Sequence, residues 1–160
     1  MSHRYWHGGI REPILYLSLY FKTHRQQYYE LLDRVRTAGD WEAWLEFFLN
    51  GVKETSAQAA QSAHQILTLF EEDRHKIERL GRPAASVLRI HQHMQRKPIL
   101  SIPATAEQLS LSAPTVTKAI QHMHKLGIVL ETTGKQRHRL FVYHRYLAIL
   151  NQGTEPIAGG

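Results

Sequence analysis

Thr105-Ala-Glu-Gln-Leu-Ser-Leu-Ser-Ala-Pro-Thr-Val-Thr-Lys-Ala-Ile-Gln-His-Met-His-Lys-Leu-Gly-Ile-Val-Leu130 reads as a helix, a tight turn, a second helix and the start of a strand. Thr105 is expected to cap a short helix that runs to Leu109, and Ser112 the next one. Pro114 falls in the first turn of that second helix, where a missing N–H costs nothing. Within it Val116, Ile120, Met123 and Leu126 recur every three or four residues, which predicts a single buried stripe. Gly127 ends the helix. Ile128–Leu130 and Leu140–Tyr143 then read as two strands, joined by a turn containing Thr133-Gly134-Lys135. Helix, turn, helix and hairpin together are the pattern of a winged helix-turn-helix.

Residues upstream of this stretch extend the same reading. Ala84 to Lys97 is expected to be a helix with Val87, Leu88, Ile90, His91 and Met94 on its buried side, ended by Pro98. Ile99 to Ile102 is a short extended piece. Tyr146 to Leu150 adds a last short helix, and residues 151–160 form an expected disordered tail.

The first half is expected to be helical throughout. Ser18 is placed as the cap of a helix running toward Arg36, stopped at Ala38-Gly39. Asp40 caps a longer helix whose apolar stripe runs through Trp41, Trp44, Phe48, Val52, Ala59, Ala63, Ile66, Phe70, Ile77 and Leu80. Gly51 is a candidate bend or break in it. The Ala-rich run from Ala57 to Ala63 leaves room for another helix to approach. The fold class is therefore mainly α: a helical bundle portion with a long helix over residues 1–80, then a winged helix-turn-helix with a small β-hairpin over 84–150.

Charge follows the same division. The chain carries a net +6. Residues 1–80 hold ten Lys and Arg against eleven Asp and Glu, a net of −1, whereas residues 81–160 hold ten against three, a net of +7. A basic half favours polyanions through counterion release, although small domains are often basic for solubility alone. In the helix from Ala113, the stripe above leaves Thr115, Thr117, Lys118, Gln121, His122 and Lys125 facing outward. Hydroxyls near a helix N-terminus suit phosphate, while Gln and Lys further along reach base edges in a major groove. Lys135, Arg137, His138 and Arg139 make the hairpin basic and suit it to the DNA backbone or minor groove. Double-stranded DNA is the first partner to test. Protein docking is the other use of such a fold.

Other chemistries find little support. There is no cysteine, so disulfides and thiolate zinc sites are excluded, and a cytoplasmic setting is the expectation. No apolar run of about 18 or more residues suggests a membrane span. His91-x-His93 and His122-x-His124 sit two apart on helices and point apart, so neither pair clamps a metal ion. Glu71-Glu-Asp73 beside Arg74 and Lys76 reads as a solvated, locally paired helix face. No Gly-rich phosphate loop or Gly-x-Ser-x-Gly elbow occurs, and no catalytic or metal residue is assigned. The aromatic group from Tyr16 to Phe48 is a large apolar surface for two or three helices to bury alone, which predicts self-association or a protein partner.

Three strings in the first half resemble the C-terminal part of Fic-family proteins: Arg11-Glu-Pro-Ile-Leu-Tyr-Leu-Ser-Leu-Tyr-Phe-Lys22, Tyr28-Tyr29, and Gly39-Asp-Trp-Glu-Ala-Trp-Leu-Glu-Phe-Phe-Leu-Asn-Gly-Val52. Leu126-Gly-Ile-Val129 and Leu140-Phe-Val-Tyr143 continue the resemblance into the winged-helix end that many members carry. It implies a fragment or truncated relative of a protein that transfers AMP from ATP to a protein hydroxyl. In that family the motif His-x-Phe-x-(Asp/Glu)-Gly-Asn-Gly-Arg supplies the base, the magnesium ligand and the phosphate loop, upstream of the position of Gly8-Gly-Ile10. These 160 residues contain no Gly-Asn-Gly. ATP and Mg2+ are accordingly implied for full-length members alone, and no catalytic residue carries over.

Overall fold

The computed structural model describes residues 11–134 and 139–152. Among them the chain is mainly helical: α1 (Arg11–Thr23), α2 (Arg25–Ala38), α3 (Trp41–Glu78), α4 (Ala84–Met94), β1 (Ile99–Ser101), α5 (Ile102–Leu109), α6 (Ala113–Lys125), β2 (Leu130–Glu131), β3 (Leu140–Val142) and α7 (His144–Asn151). Two compact units share the chain, one of residues 1–64 and 151–160, the other of residues 65–150. Their limit lies inside α3, so the last turns of that helix belong with the winged helix. Leu80–Pro83, expected as a boundary, is the turn into α4, with Gly81 at φ +71° and Pro83 directly before the helix.

In the first unit the expected helix from Ser18 to Arg36 is two helices. Ser18 lies inside α1, and His24, at φ −100° and ψ 33°, interrupts the helical path. Its ring Nδ1 lies 3.0 Å from the Tyr20 carbonyl, occupying an acceptor on the preceding turn. Gly39 (φ +67°) then ends α2, and Asp40 accepts the Ala43 N–H at 3.3 Å, the expected cap of α3.

α3 passes through Gly51 without a break. A Cβ there would lie 2.7 Å from Cδ1 and Cε1 of Tyr20, so the residue serves close packing. The buried face consequently runs through Phe47, Gly51 and Thr55, while Trp41, expected in the buried stripe, is 62% exposed. Thr55 is tolerated inside because its hydroxyl donates to the Gly51 carbonyl at 2.7 Å. Rings of Tyr20, Phe21, Tyr28 and Phe47 pack at centroid distances of 5.2–6.5 Å, absorbing much of the aromatic surface. Ala57, Ala60 and Ala63 are exposed.

In the second unit three antiparallel strands pair in the order β1-β3-β2. Leu100 faces Phe141, and Val142 is paired with Ile99 on one side and Leu130 on the other. β2 begins at Leu130 rather than Ile128, because Ile128 and Val129 are spent in the core. Val87, Ile90, Met94, Val116, Met123, Ile128 and Val129 are all fully buried. Each contributes about 1.5–3 kcal/mol relative to exposure. α4 stops at Met94, three residues short of Lys97, and α7 begins at His144, two residues before Tyr146. Asn151, expected to open the tail, instead closes α7; residues 153–160 lie outside the described residues.

The acidic run on α3 departs most from expectation. Glu71 and Glu72 are exposed, with partners in Arg74 and Arg145. Asp73 is fully buried. The Tyr143 hydroxyl donates to its Oδ2 at 2.8 Å and Lys76 Nζ to its Oδ1 at 2.6 Å, and Arg145 lies 3.6 Å from Oδ1. Because the phenol donates its hydrogen bond to Asp73, its oxygen accepts from the buried His91 Nε2–H at 3.2 Å, which places a proton on Nε2. The Phe70 ring stands edge-on to His91 and Tyr146. The solvated-face expectation holds for Glu71, Glu72 and Arg74 and fails at Asp73, because burial depends on what α4, β3 and α7 bring to that side of α3.

Burial lowers the His91 pKa against the weaker opposing pull of Asp73 and Glu71. The unfolded chain, with a histidine pKa of about 6.5, thus binds more protons just below that pH. Stability is therefore complete above about pH 6.5 and is lost as the pH falls toward the depressed folded value. Urea midpoints of the wild type are expected to drop as the pH falls below about 6.5, and His91→Gln, which keeps a donor for Tyr143, is expected to flatten that limb. An equally steep limb in the variant would show that another group carries it.

Candidate nucleic-acid interface

The helix-turn-helix is closed by a strained turn. Ser110 ends α5 in the left-handed region, at φ 50° and ψ 48°, and its N–H reaches the Glu107 carbonyl at 3.2 Å. Leu111 N–H returns to the Ala106 carbonyl at 2.9 Å. Arg89 of α4 donates to the Leu109 carbonyl at 2.6 Å and covers an acceptor at the helix end. Thr105, expected as a cap, is buried within α5; the helix starts three residues earlier, with Pro103 in its first turn.

α6 keeps its expected boundaries and face. Ser112 Oγ accepts the Thr115 N–H at 3.3 Å, and Pro114 sits in the first turn. Val116, Ala119, Ile120 and Met123 are buried, while Leu126 is half-buried. Lys118, Gln121 and Lys125 are exposed, and Thr115, Thr117 and His122 are half-buried. The Thr115 hydroxyl is 2.8 Å from Ser112 Oγ, and the Thr117 hydroxyl donates to the Ala113 carbonyl at 2.8 Å, so both are engaged within the helix. Lys118 and Lys125 form no ion pair among the described residues.

One flank of α6 and the base of the wing enclose a cleft of about 400 Å³. Thr117, Gln121, His124 and Lys125, spaced by about one and two turns, supply the helix side; Glu131, Arg139 and Phe141 supply the wing side. Of the residues expected to meet DNA, this cleft brings together Thr117, Gln121, Lys125 and Arg139. Thr115, Lys118 and His122 lie outside its lining. Lys135, Arg137 and His138, the expected wing tip, lie outside the described residues.

Arg139 is not a free cation. It is paired with Glu131, and its guanidinium lies 5.2 Å from the centroid of the Phe141 ring. A hydrogen bond from Arg139 holds the Glu131 carboxyl below the usual carboxylate range. Glu131 is opposite Phe141 in the β2–β3 register, so Arg139 is its diagonal neighbour. Reading the sequence misses Glu131, His124 and Phe141. The pairing of an acid on one hairpin arm with an arginine on the other becomes visible only once the register is known.

The family model described as winged helix-turn-helix DNA-binding matches residues 85–129, from α4 to the residue before β2. The chain thus carries a winged helix-turn-helix domain, completed by β2 and β3. No helix among the described residues is long and apolar enough to cross a membrane.

Left-handed backbone costs a non-glycine residue about 1–2 kcal/mol, partly offset by the greater freedom of an unfolded glycine. Ser110→Gly is therefore expected to raise the stability of the second unit by about 0.5–1 kcal/mol, read as a higher urea midpoint. A lower midpoint would mean that the serine side chain stabilises this turn.

Proposed function

We propose that the winged helix binds duplex DNA as a regulatory module, with α6 in the major groove and the wing along the adjacent backbone. The observation that supports this best is the shared cleft: Gln121 and Lys125 open onto the same space as the wing strands, so helix and wing address one ligand together. Lys118 and Lys125 add unneutralised charge on the exposed side of α6. The proposed DNA surface comprises Thr115, Thr117, Lys118, Gln121, His122 and Lys125 of α6 with Lys135 and Arg137 of the wing; Arg139 borders it, its charge taken up by Glu131. The test is fluorescence anisotropy with a labelled duplex between 50 and 200 mM salt. Lys118→Ala and Lys125→Ala are each expected to weaken binding severalfold and reduce the salt slope by about 0.9, the loss of one phosphate contact. Unchanged affinity and slope in both variants would remove the proposal.

A second reading concerns the helical half. The resemblance of residues 11–52 to Fic-family proteins supports a relationship to the non-catalytic tail of a protein adenylyltransferase, used for target docking or dimerisation. Trp41, Leu45 and Leu49 are 62%, 50% and 61% exposed and lie one turn apart on α3, an apolar strip suited to a protein partner or a second copy. Sedimentation velocity at tens of micromolar is expected to show self-association that Trp41→Ser with Leu45→Ser abolishes. A wild-type chain that sediments as a monomer at that concentration would count against self-association through this strip.

A further inference from the structure

We propose that Glu131 is a specificity-determining residue of the DNA surface: its carboxylate holds Arg139 against the wing and keeps backbone phosphate off the wing side of the cleft beside α6. The proposal rests on the DNA-binding reading above. Residues 84–150 contain two acids, Glu107 and Glu131, against nine Lys and Arg. One of those two acids lines the cleft that Gln121 and Lys125 open onto. On a surface meant simply to attract a polyanion, a carboxylate there weakens binding, since it opposes the phosphate charge and occupies an arginine that would otherwise meet it.

The surroundings hold the pair in place. Glu131 has a side chain only 21% exposed and belongs to a paired strand, so it does not swing away freely. Arg139, 45% exposed, lies over the Phe141 ring as well as against the carboxylate. Phe141 is itself buried and opposite Glu131 in register. A phosphate approaching the wing side of the cleft therefore meets a neutralised arginine and a carboxylate. Affinity is left to Lys118, Lys125 and the wing, and base-edge contacts by Gln121 gain weight relative to sequence-independent attraction.

The test uses the full chain and a labelled duplex of mixed sequence, titrated between 50 and 200 mM KCl. Glu131→Gln is expected to bind this duplex about tenfold more tightly, with a salt slope steeper by about 0.9 as Arg139 gains a phosphate. Arg139→Gln alone is expected to keep the wild-type slope, because the paired arginine makes no phosphate contact. In the double variant the slope gain should vanish, which separates release of Arg139 from a general change in net charge. Glu131→Thr, which suits a strand, provides a second variant with the same expectation should the glutamine variant fold poorly. Salt-dependent binding by the wild type with no gain in either Glu131 variant would overturn this proposal and leave the DNA reading intact. So would a slope reduction in Arg139→Gln as large as that in Lys118→Ala. No salt-dependent binding by any form would overturn both.

Discussion

The second unit is organised around a buried carboxylate. Asp73 is removed from solvent at the end of a long helix, where an unpaired charge costs several kcal/mol. Tyr143, Lys76 and Arg145 compensate, and these groups come from three places in the chain: the end of β3, α3 itself and α7. Tyr143 then passes the constraint on. Its hydroxyl accepts from His91 of α4, and its backbone N–H donates to the Pro98 carbonyl at 2.8 Å, beside β1. One ionised group thereby sets where the β3 strand ends relative to α4 and β1. Since β3 also pairs with β2, the base of the wing takes its position from the same network.

Two residues before Tyr143 along the chain begins the chemistry of the proposed DNA surface. Phe141 is the hinge of that arrangement. It pairs with Leu100 across one strand and Glu131 across the other, and it lies beneath Arg139. A buried aromatic in the middle strand thus supports a charged pair at the surface. The α6 stripe of Val116, Ile120 and Met123 turns the other wall of the cleft toward that pair. Apolar packing on two elements places Gln121, Lys125, Glu131 and Arg139 around a common space, although none of these polar groups drives the packing.

Local chemistry made much of this legible in advance. The Ser112 cap, Pro114 in the first turn and the three- and four-residue spacing of Val116, Ile120 and Met123 are short-range signals that tertiary contacts do not overrule, and α6 appears as they require. The Asp40 cap of α3 is of the same kind. Readings that ranked residues by apolarity or charge fared worse. Trp41 is apolar yet exposed, whereas Gly51 and Thr55 are small or polar yet buried, because Tyr20 needs the space that glycine leaves. Asp73 looked like its exposed neighbours Glu71 and Glu72. Thr105 looked like a cap but fills the interior of α5, since Pro103 had already started that helix.

The order of helices and strands over residues 84–150, the ends of α6 and the basic character of residues 81–160 were properties of the sequence by itself, since capping, periodicity and composition act over a few residues or none. Which charges remain free was decided by the tertiary structure. Whether an acid is solvated, as Glu71 is, or buried, as Asp73 is, depends on what distant segments place beside it. Whether a cation is available, as Lys118 is, or neutralised, as Arg139 is, depends in the same way on a strand register that joins residues eight positions apart. Coulomb interactions follow distance in space, and that distance exists only after the chain has folded.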